Sequence, residues 1–151
     1  MTIRISGASL LPPSARRPGA VAAVCRRVLA REKVRPRGEL NVVFLDRARM
    51  RRLNRRFLGR THDTDVIAFA YAQNAGPAGE APFGDVFISA FQARVQAARE
   101  GHAVLAEVLF LAAHGTLHLL GYDDATARQR AVMFRKQARA LPKGVRVRSQ
   151  P

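Results

Sequence analysis

His114 and His118 stand four residues apart, one turn of a helix, so their imidazoles project from the same face about a metal-ligand span apart. Gly121 follows, and Tyr122-Asp123-Asp124 turns the chain back beneath the pair, where a carboxylate can reach its open side. Two imidazoles and one carboxylate leave a coordination position for water, the pattern of catalytic rather than structural zinc. Asp124 is the candidate third ligand, with Asp123 as the neighbouring alternative. The competing reading is ordinary: two packing histidines, and an Asp-Asp pair that caps a helix beginning at Ala125. Gly115 weighs for the site, because glycine in mid-helix costs about 1 kcal/mol relative to alanine and is kept where a ligand or another backbone comes close.

The elements that must hold these residues follow from periodicity. Thr2 to Ser6 alternates polar and apolar as a strand does, and Pro12, Pro13 and Pro18 mark a turn before a helix over Gly19–Lys33, with Val21, Val24, Cys25, Val28 and Leu29 on its inner face. A strand over Glu39–Leu45 leads to Asp46, the cap of a helix running to Phe57 whose inner side carries Met50, Leu53, Asn54 and Phe57. After a loop over 58–64, strands are expected at Asp65–Tyr71 and Asp85–Ser89, separated by a flexible Gly/Ala/Pro-rich connection over Gln73–Pro82. Three helices complete the chain: Ala90–Glu100, the apolar Ala103–Leu120 that carries the histidines, and Ala125–Ala140, which Pro142 ends. The expectation is one α+β domain over residues 1–142, with a small mixed four-stranded sheet, about five helices and the His-x-x-x-His pair on a central buried helix. The basic tail 143–151 is expected to fray.

Charge narrows the partner. The 151 residues carry 26 Lys plus Arg against 11 Asp plus Glu, a formal +15. The excess is segregated: +13 over residues 1–60, −6 over 61–124 and +8 over 125–151. An acidic middle between basic flanks suits a cation-binding centre approached by a polyanion. The single cysteine, Cys25, allows no internal disulfide and is read as a small buried hydrophobe. A cytosolic setting without a membrane partner is expected, since no secretory leader is evident and apolar runs such as Val108 to Ala113 are far short of a span. Aromatic residues, 7% with no Trp, do not support extensive base stacking or sequence-specific recognition.

The run His114-Gly-Thr-Leu-His118-Leu-Leu-Gly-Tyr-Asp-Asp124 resembles the signature of the YbeY endoribonucleases, His-Gly-x-Leu-His-Leu-x-Gly-Tyr-Asp-His, and ten of its eleven positions fit. Upstream, Glu39–Leu45, Leu53-Asn54-x-x-Phe57, Thr64–Phe69 and Gly84–Ser89 are each similar to a family segment, in the family's order. The resemblance implies a metal-dependent, single-strand-specific endoribonuclease acting on the 3′ end of small-subunit ribosomal RNA and in ribosome quality control. It also implies a small mixed sheet with helices packed around the metal helix.

Two departures from that pattern matter. Asp124 stands where the family usually has a third His, and a carboxylate weakens acidification of bound water and shifts preference from zinc toward harder ions such as Mn²⁺. One divalent metal, zinc first, is therefore the expected cofactor. Leu58 stands where many members carry an Arg tied by the resemblance to activity; Arg55, Arg56 and Arg60 are the candidates to contact RNA in its stead, against the plain reading of a solvated basic face. Attack on the phosphodiester by water and by the RNA's own 2′-hydroxyl are both open. Two other functions compete: an RNA-binding ribosome accessory factor without catalysis, and a zinc protease. The latter would need a general base where Gly115 stands, with Asp123 or Glu107 as substitutes. His62 and His102 are expected at the surface, His62 in a loop that could approach the site, and Asp85 at the start of its strand.

Overall fold

The structure, a computed structural model, describes residues 1–35, 37–71 and 83–147. Four strands, β1 (Thr2–Ser6), β2 (Glu39–Leu45), β3 (Val66–Ala70) and β4 (Gly84–Ser89), form one sheet in the order β1-β2-β4-β3. The first two pairings are parallel and the last is antiparallel, with Val42 opposite both Ile5 and Val86, and Ala68 opposite Val86. Five α-helices accompany it: α1 (Pro18–Arg31), α2 (Arg47–Leu58), α3 (Ala90–Glu100), α4 (Val104–Leu119) and α5 (Ala127–Ala140). This is the expected single α+β domain with a mixed four-stranded sheet. The expected connection over Gln73–Pro82 lies outside the described residues, as do residues 148–151 of the tail. Beyond residue 142 the chain continues in a turn, where Val145 N–H donates to the Pro142 carbonyl and the Val145 side chain packs on the core.

Alternation along the strands sends Leu40, Val42, Phe44, Val86 and Ile88 to one face of the sheet, all buried. Against that face lie α1, through Val21, Val24, Cys25, Val28 and Leu29, and the almost wholly buried α4. Burial pushes the Cys25 thiol up to about 11, so it behaves as the small hydrophobe expected of it. Among the described residues no single helix is long and apolar enough to cross a membrane; the apolarity of α4 is that of a core helix.

Side-chain caps start α2, α3 and α5. Asp46 accepts from Arg49 N–H at 2.8 Å and starts α2 as expected. Ser89 accepts from Gln92 N–H at 3.0 Å and starts α3 directly from the end of β4. For α5 the cap is Thr126, which exchanges hydrogen bonds with Gln129 in a capping box, rather than the Asp-Asp pair before it. Asp124 is thereby free of helix duty.

Three expectations need correction. Phe57 lies on the inner side of α2 yet is 56% exposed: among the described residues its ring packs edge-on against Phe69 of the edge strand β3, with the Arg56 guanidinium over it, and no core forms around it. The His102 side chain is 3% exposed rather than at the surface, with Nε2 2.8 Å from Glu107 Oε2. Gly115 makes room for the sheet and not for a ligand or another backbone: a Cβ there would lie 2.4 Å from Val86 Cγ1 and 3.2 Å from Val66 Cγ2. Packing of α4 onto β3 and β4 thus requires glycine one residue after His114.

Candidate metal centre

The final turn of α4 closes with Tyr122 N–H donating to the Leu117 carbonyl and Gly121 N–H to the His118 carbonyl. This ending needs a left-handed residue at the turn, and Gly121 supplies it at φ 96°. The chain then doubles back under the helix. Asp124 Oδ2 arrives 3.2 Å from His114 Nε2 and 3.3 Å from His118 Nε2, while the two Nε2 atoms are 2.9 Å apart. Asp123 has another task, since its Oδ1 accepts the Asp124 N–H at 2.9 Å. Among the described residues these three side chains are the group of His, Cys, Asp and Glu donors close enough to hold a metal ion; His62, His102 and Asp123 are not in it.

Which ring nitrogens face inward follows from the partners on the outer side. His118 Nδ1 lies 2.9 Å from the Tyr122 carbonyl, which can only accept, so Nδ1 carries the proton. His114 Nδ1 lies 3.0 Å from Gln137 Oε1, and the Gln137 amide nitrogen donates to the Phe110 carbonyl at 3.2 Å. That second bond orients the amide and makes Oε1 the acceptor, so His114 also carries its proton on Nδ1. Both Nε2 atoms therefore present lone pairs toward each other and toward Asp124. Three lone pairs converging at such distances repel, and a cation or a proton among them relieves the repulsion. Donors about 2.0–2.2 Å from a tetrahedral zinc ion are spaced about 3.3–3.5 Å apart, close to the observed set, and hydrogen-bonded outer nitrogens are the usual support of histidine ligands. The residues present fit a divalent ion, and one imidazole–imidazole–carboxylate face leaves it open to a further ligand.

Sequence reasoning missed the two outer partners. Gln137 comes from α5, where it is 3% exposed in a stripe with Met133 and Ala140; a polar residue in an apolar stripe was the available signal. The Tyr122 partner is a backbone atom, invisible in residue type. The Tyr122 side chain is itself anchored: its hydroxyl donates to Glu32, which also accepts from Lys136 Nζ at 2.8 Å. Burial acts to raise the Glu32 pKa, but the hydrogen bonds from Lys136 and Tyr122 outweigh it and hold the carboxyl below its ordinary value.

A cavity of about 320 Å³ adjoins the centre, with His114 and Asp124 in its wall. The basic residue that lines it is Arg130, whose guanidinium donates to the Asp124 and Ala125 carbonyls at 3.3 and 3.1 Å. Arg55, Arg56 and Arg60 do not line it. Arg55 belongs instead to a separate groove of about 490 Å³ on α2 with Arg47, Arg51 and Arg52, and Arg56 sits 5.5 Å over the Phe57 ring. Asp63 accepts from both Arg47 and Arg51 there, and its pKa is lowered first by the Arg47 hydrogen bond. Leu58, at the end of α2, is 46% exposed and outside the cavity. Asp85 lies in β4 and accepts from Asn41 Nδ2 at 3.1 Å and from the Tyr71 hydroxyl.

Comparison with known proteins gives one consistent result. The family model described as Endoribonuclease YbeY matches residues 14–144. Endoribonuclease YbeY of Geobacillus thermodenitrificans is 40% identical over 123 residues, covering 77% of this chain and 79% of the relative. Its counterparts in Elusimicrobium minutum and Pelotomaculum thermopropionicum are each 38% identical, over 107 and 126 residues; these cover 71% and 82% of this chain and 75% and 83% of theirs. A Thermotoga maritima protein solved in solution superposes with a TM-score of 0.61 over 91% of this chain and 85% of its own, at 22% identity, a likeness of fold.

Proposed function

The chain belongs to the YbeY endoribonuclease family, and from that premise we propose that it cleaves single-stranded RNA with one divalent ion, zinc first and Mn²⁺ as the harder alternative, held by His114, His118 and Asp124. The observation that carries this reading is the convergence of three lone pairs, with both histidine tautomers set from the outer side. When bound, the ion supplies Lewis acidity toward a phosphoryl oxygen and toward water.

The chain's own groups do the rest. Gln137 and the Tyr122 carbonyl hold the imidazoles in one tautomer and one orientation, so no reorganisation is needed when substrate arrives. Arg130, exposed at the cavity beside Asp124, is placed to hold a phosphate flanking the scissile bond. Arg55, Arg56 and Arg60 add contacts to phosphates farther along the strand, through the arginine groove of α2 and the turn after it. Association is steered by the basic excess of residues 1–60 and 125–151. The proposed substrate is ribosomal RNA, at the 3′ end of the small-subunit species and in ribosome quality control, in a cytoplasmic setting.

Peptide hydrolysis is disfavoured by the same geometry. The position after the first histidine, where a zinc protease of this plan carries its general base, is Gly115 pressed against Val86. Glu107 is no substitute, being buried and committed to Gln96 and His102.

Metal-loaded protein and its His114→Ala variant, incubated with single- and double-stranded RNA, test the proposal. Cleavage of the single strand alone, dependent on metal and lost in the variant, is expected. Metal-independent binding without cleavage would overturn it in favour of an accessory factor.

A further inference from the structure

The cavity beside His114 has two unlike walls. One is aromatic, where the Phe110 and Phe134 rings meet at 5.2 Å and 58°. The other is a fixed polar wall. Gln96 Nε2 donates to Asp65 Oδ2 at 3.3 Å and to Glu107 Oε1 at 3.1 Å, and Gln96 Oε1 accepts from Gln92 at 3.3 Å. Both amide hydrogens of Gln96 are spent inside the wall. What the wall offers a guest is therefore acceptor oxygen, chiefly that of Asp65, with Glu100 beside it and Glu107 committed behind it to Gln96 and His102. Arg130 is the basic residue of the lining, next to Asp124.

This arrangement sorts the parts of a nucleotide. A phosphate is repelled from an interior lined by carboxylates and is welcome at Arg130. A base is neutral, has a face for the aromatic wall, and fits a space of about 320 Å³. Bases differ in the edge they show to an acceptor wall. Guanine offers N1–H and N2–H₂ side by side, which a carboxylate accepts in a bidentate pair. Adenine and cytosine offer one amino group, and uracil offers a single N–H between two carbonyls that the wall repels.

Resting on the reading of the centre as an RNA-cleaving site, we propose that this cavity is a base-selective subsite that takes a guanine of the single-stranded substrate next to the scissile phosphate, read by Asp65 in the Gln96-fixed wall and stacked on Phe110 and Phe134. It selects one base rather than a sequence, in keeping with the sparse aromatics. Asp65 is a specificity residue, and it sits at the entry to β3, where its backbone carbonyl accepts the Ser89 N–H at 2.9 Å and fixes its position.

The test uses the full metal-loaded chain titrated with guanosine and uridine 5′-monophosphates, followed through the Gln96 side-chain amide resonance. In parallel, oligouridylate strands with and without a single central guanosine are compared as substrates. The guanosine nucleotide is expected to bind at least about tenfold more tightly and to move the Gln96 resonance, and the guanosine strand to be cut beside that base at least about tenfold faster. Asp65→Asn, which exposes an amide in place of the carboxylate, is expected to bring the binding ratio within about threefold while metal content is unchanged. Equal affinities in the unmodified chain overturn the proposal without recourse to any variant, as does a ratio that survives Asp65→Asn. A second equivalent of metal lost in Asp65→Asn also overturns it and assigns the cavity to a cation. Selective binding without cleavage of any strand keeps the subsite and removes the cleavage reading; equal binding with rapid cleavage of both strands does the reverse.

Discussion

Replacing Gln137 by methionine keeps its volume and deletes both of its hydrogen bonds, one to His114 Nδ1 and one to the Phe110 carbonyl. Gln137 is 3% exposed, so the Phe110 carbonyl, an interior carbonyl of α4, is left with its helical partner alone, while the His114 ring, 20% exposed, regains part of its loss from water. Two lost hydrogen bonds, neither of which leaves a wholly unpaired group, should cost the metal-free chain about 1–3 kcal/mol of stability. For a chain of this size that corresponds to a fall of about 2–12 °C in Tm. Metal affinity should fall separately. An imidazole without an acceptor on Nδ1 is free to carry its proton on Nε2 and to turn, and losing such an outer partner costs about 10–100-fold in metal affinity, or about 1.4–2.7 kcal/mol. Competition against a chelating indicator measures the affinity and calorimetry the Tm. A fall in Tm with metal affinity unchanged within about threefold would show that Gln137 only packs and does not orient His114.

Other outcomes follow from neighbouring contacts. Gly115→Ala gains about 1 kcal/mol of helix propensity but drives a methyl to within 2.4 Å of Val86 Cγ1, so a net loss of about 1–3 kcal/mol is expected in denaturant unfolding; an unchanged midpoint would show that α4 can lift off the sheet freely. Asp124→Ala should weaken metal binding at least about tenfold and Asp124→His should retain it, by equilibrium dialysis; indifference to Asp124→Ala would remove this carboxylate from the centre. Glu32, whose folded pKa is depressed, contributes stability that is present above its unfolded value near 4.5 and is lost as pH falls through the lower folded value. Glu32→Gln should therefore lower Tm at pH 7 and leave a smaller further decline below pH 4.5 than in the unmodified chain; parallel Tm profiles would contradict this.

The parts of this molecule that were legible in advance share a physical cause. Periodicity located α1 because its burial follows the 3.6-residue repeat closely, with Val21, Val24, Cys25, Val28 and Leu29 as the buried face. The juxtaposition of His114 with His118 is local, set by one helical turn, and that of Asp124 with both is set by the glycine-ended turn after α4. What escaped the sequence depends on contacts between distant segments. Gln137 reaches His114 across 23 residues. His102 and Glu107 are the local exception, five residues apart, where the turn at Gly101 sets His102 against the first turn of α4. The exposure of Phe57 depends on β3 being an edge strand, and the reason for Gly115 depends on which strands lie beneath it. Likewise the acceptor wall of the cavity joins Asp65 to Gln96 and Glu107, three residues that no spacing rule connects.

At the heart of the proposed function is one divalent ion held by His114, His118 and Asp124. Metal analysis of the purified chain after equilibrium dialysis against zinc, beside His114→Ala and His118→Ala, tests it most directly. One ion per chain in the unmodified protein and a near-complete loss in both variants is the result predicted. Metal content unchanged in both variants, with the fold intact by circular dichroism, would contradict it.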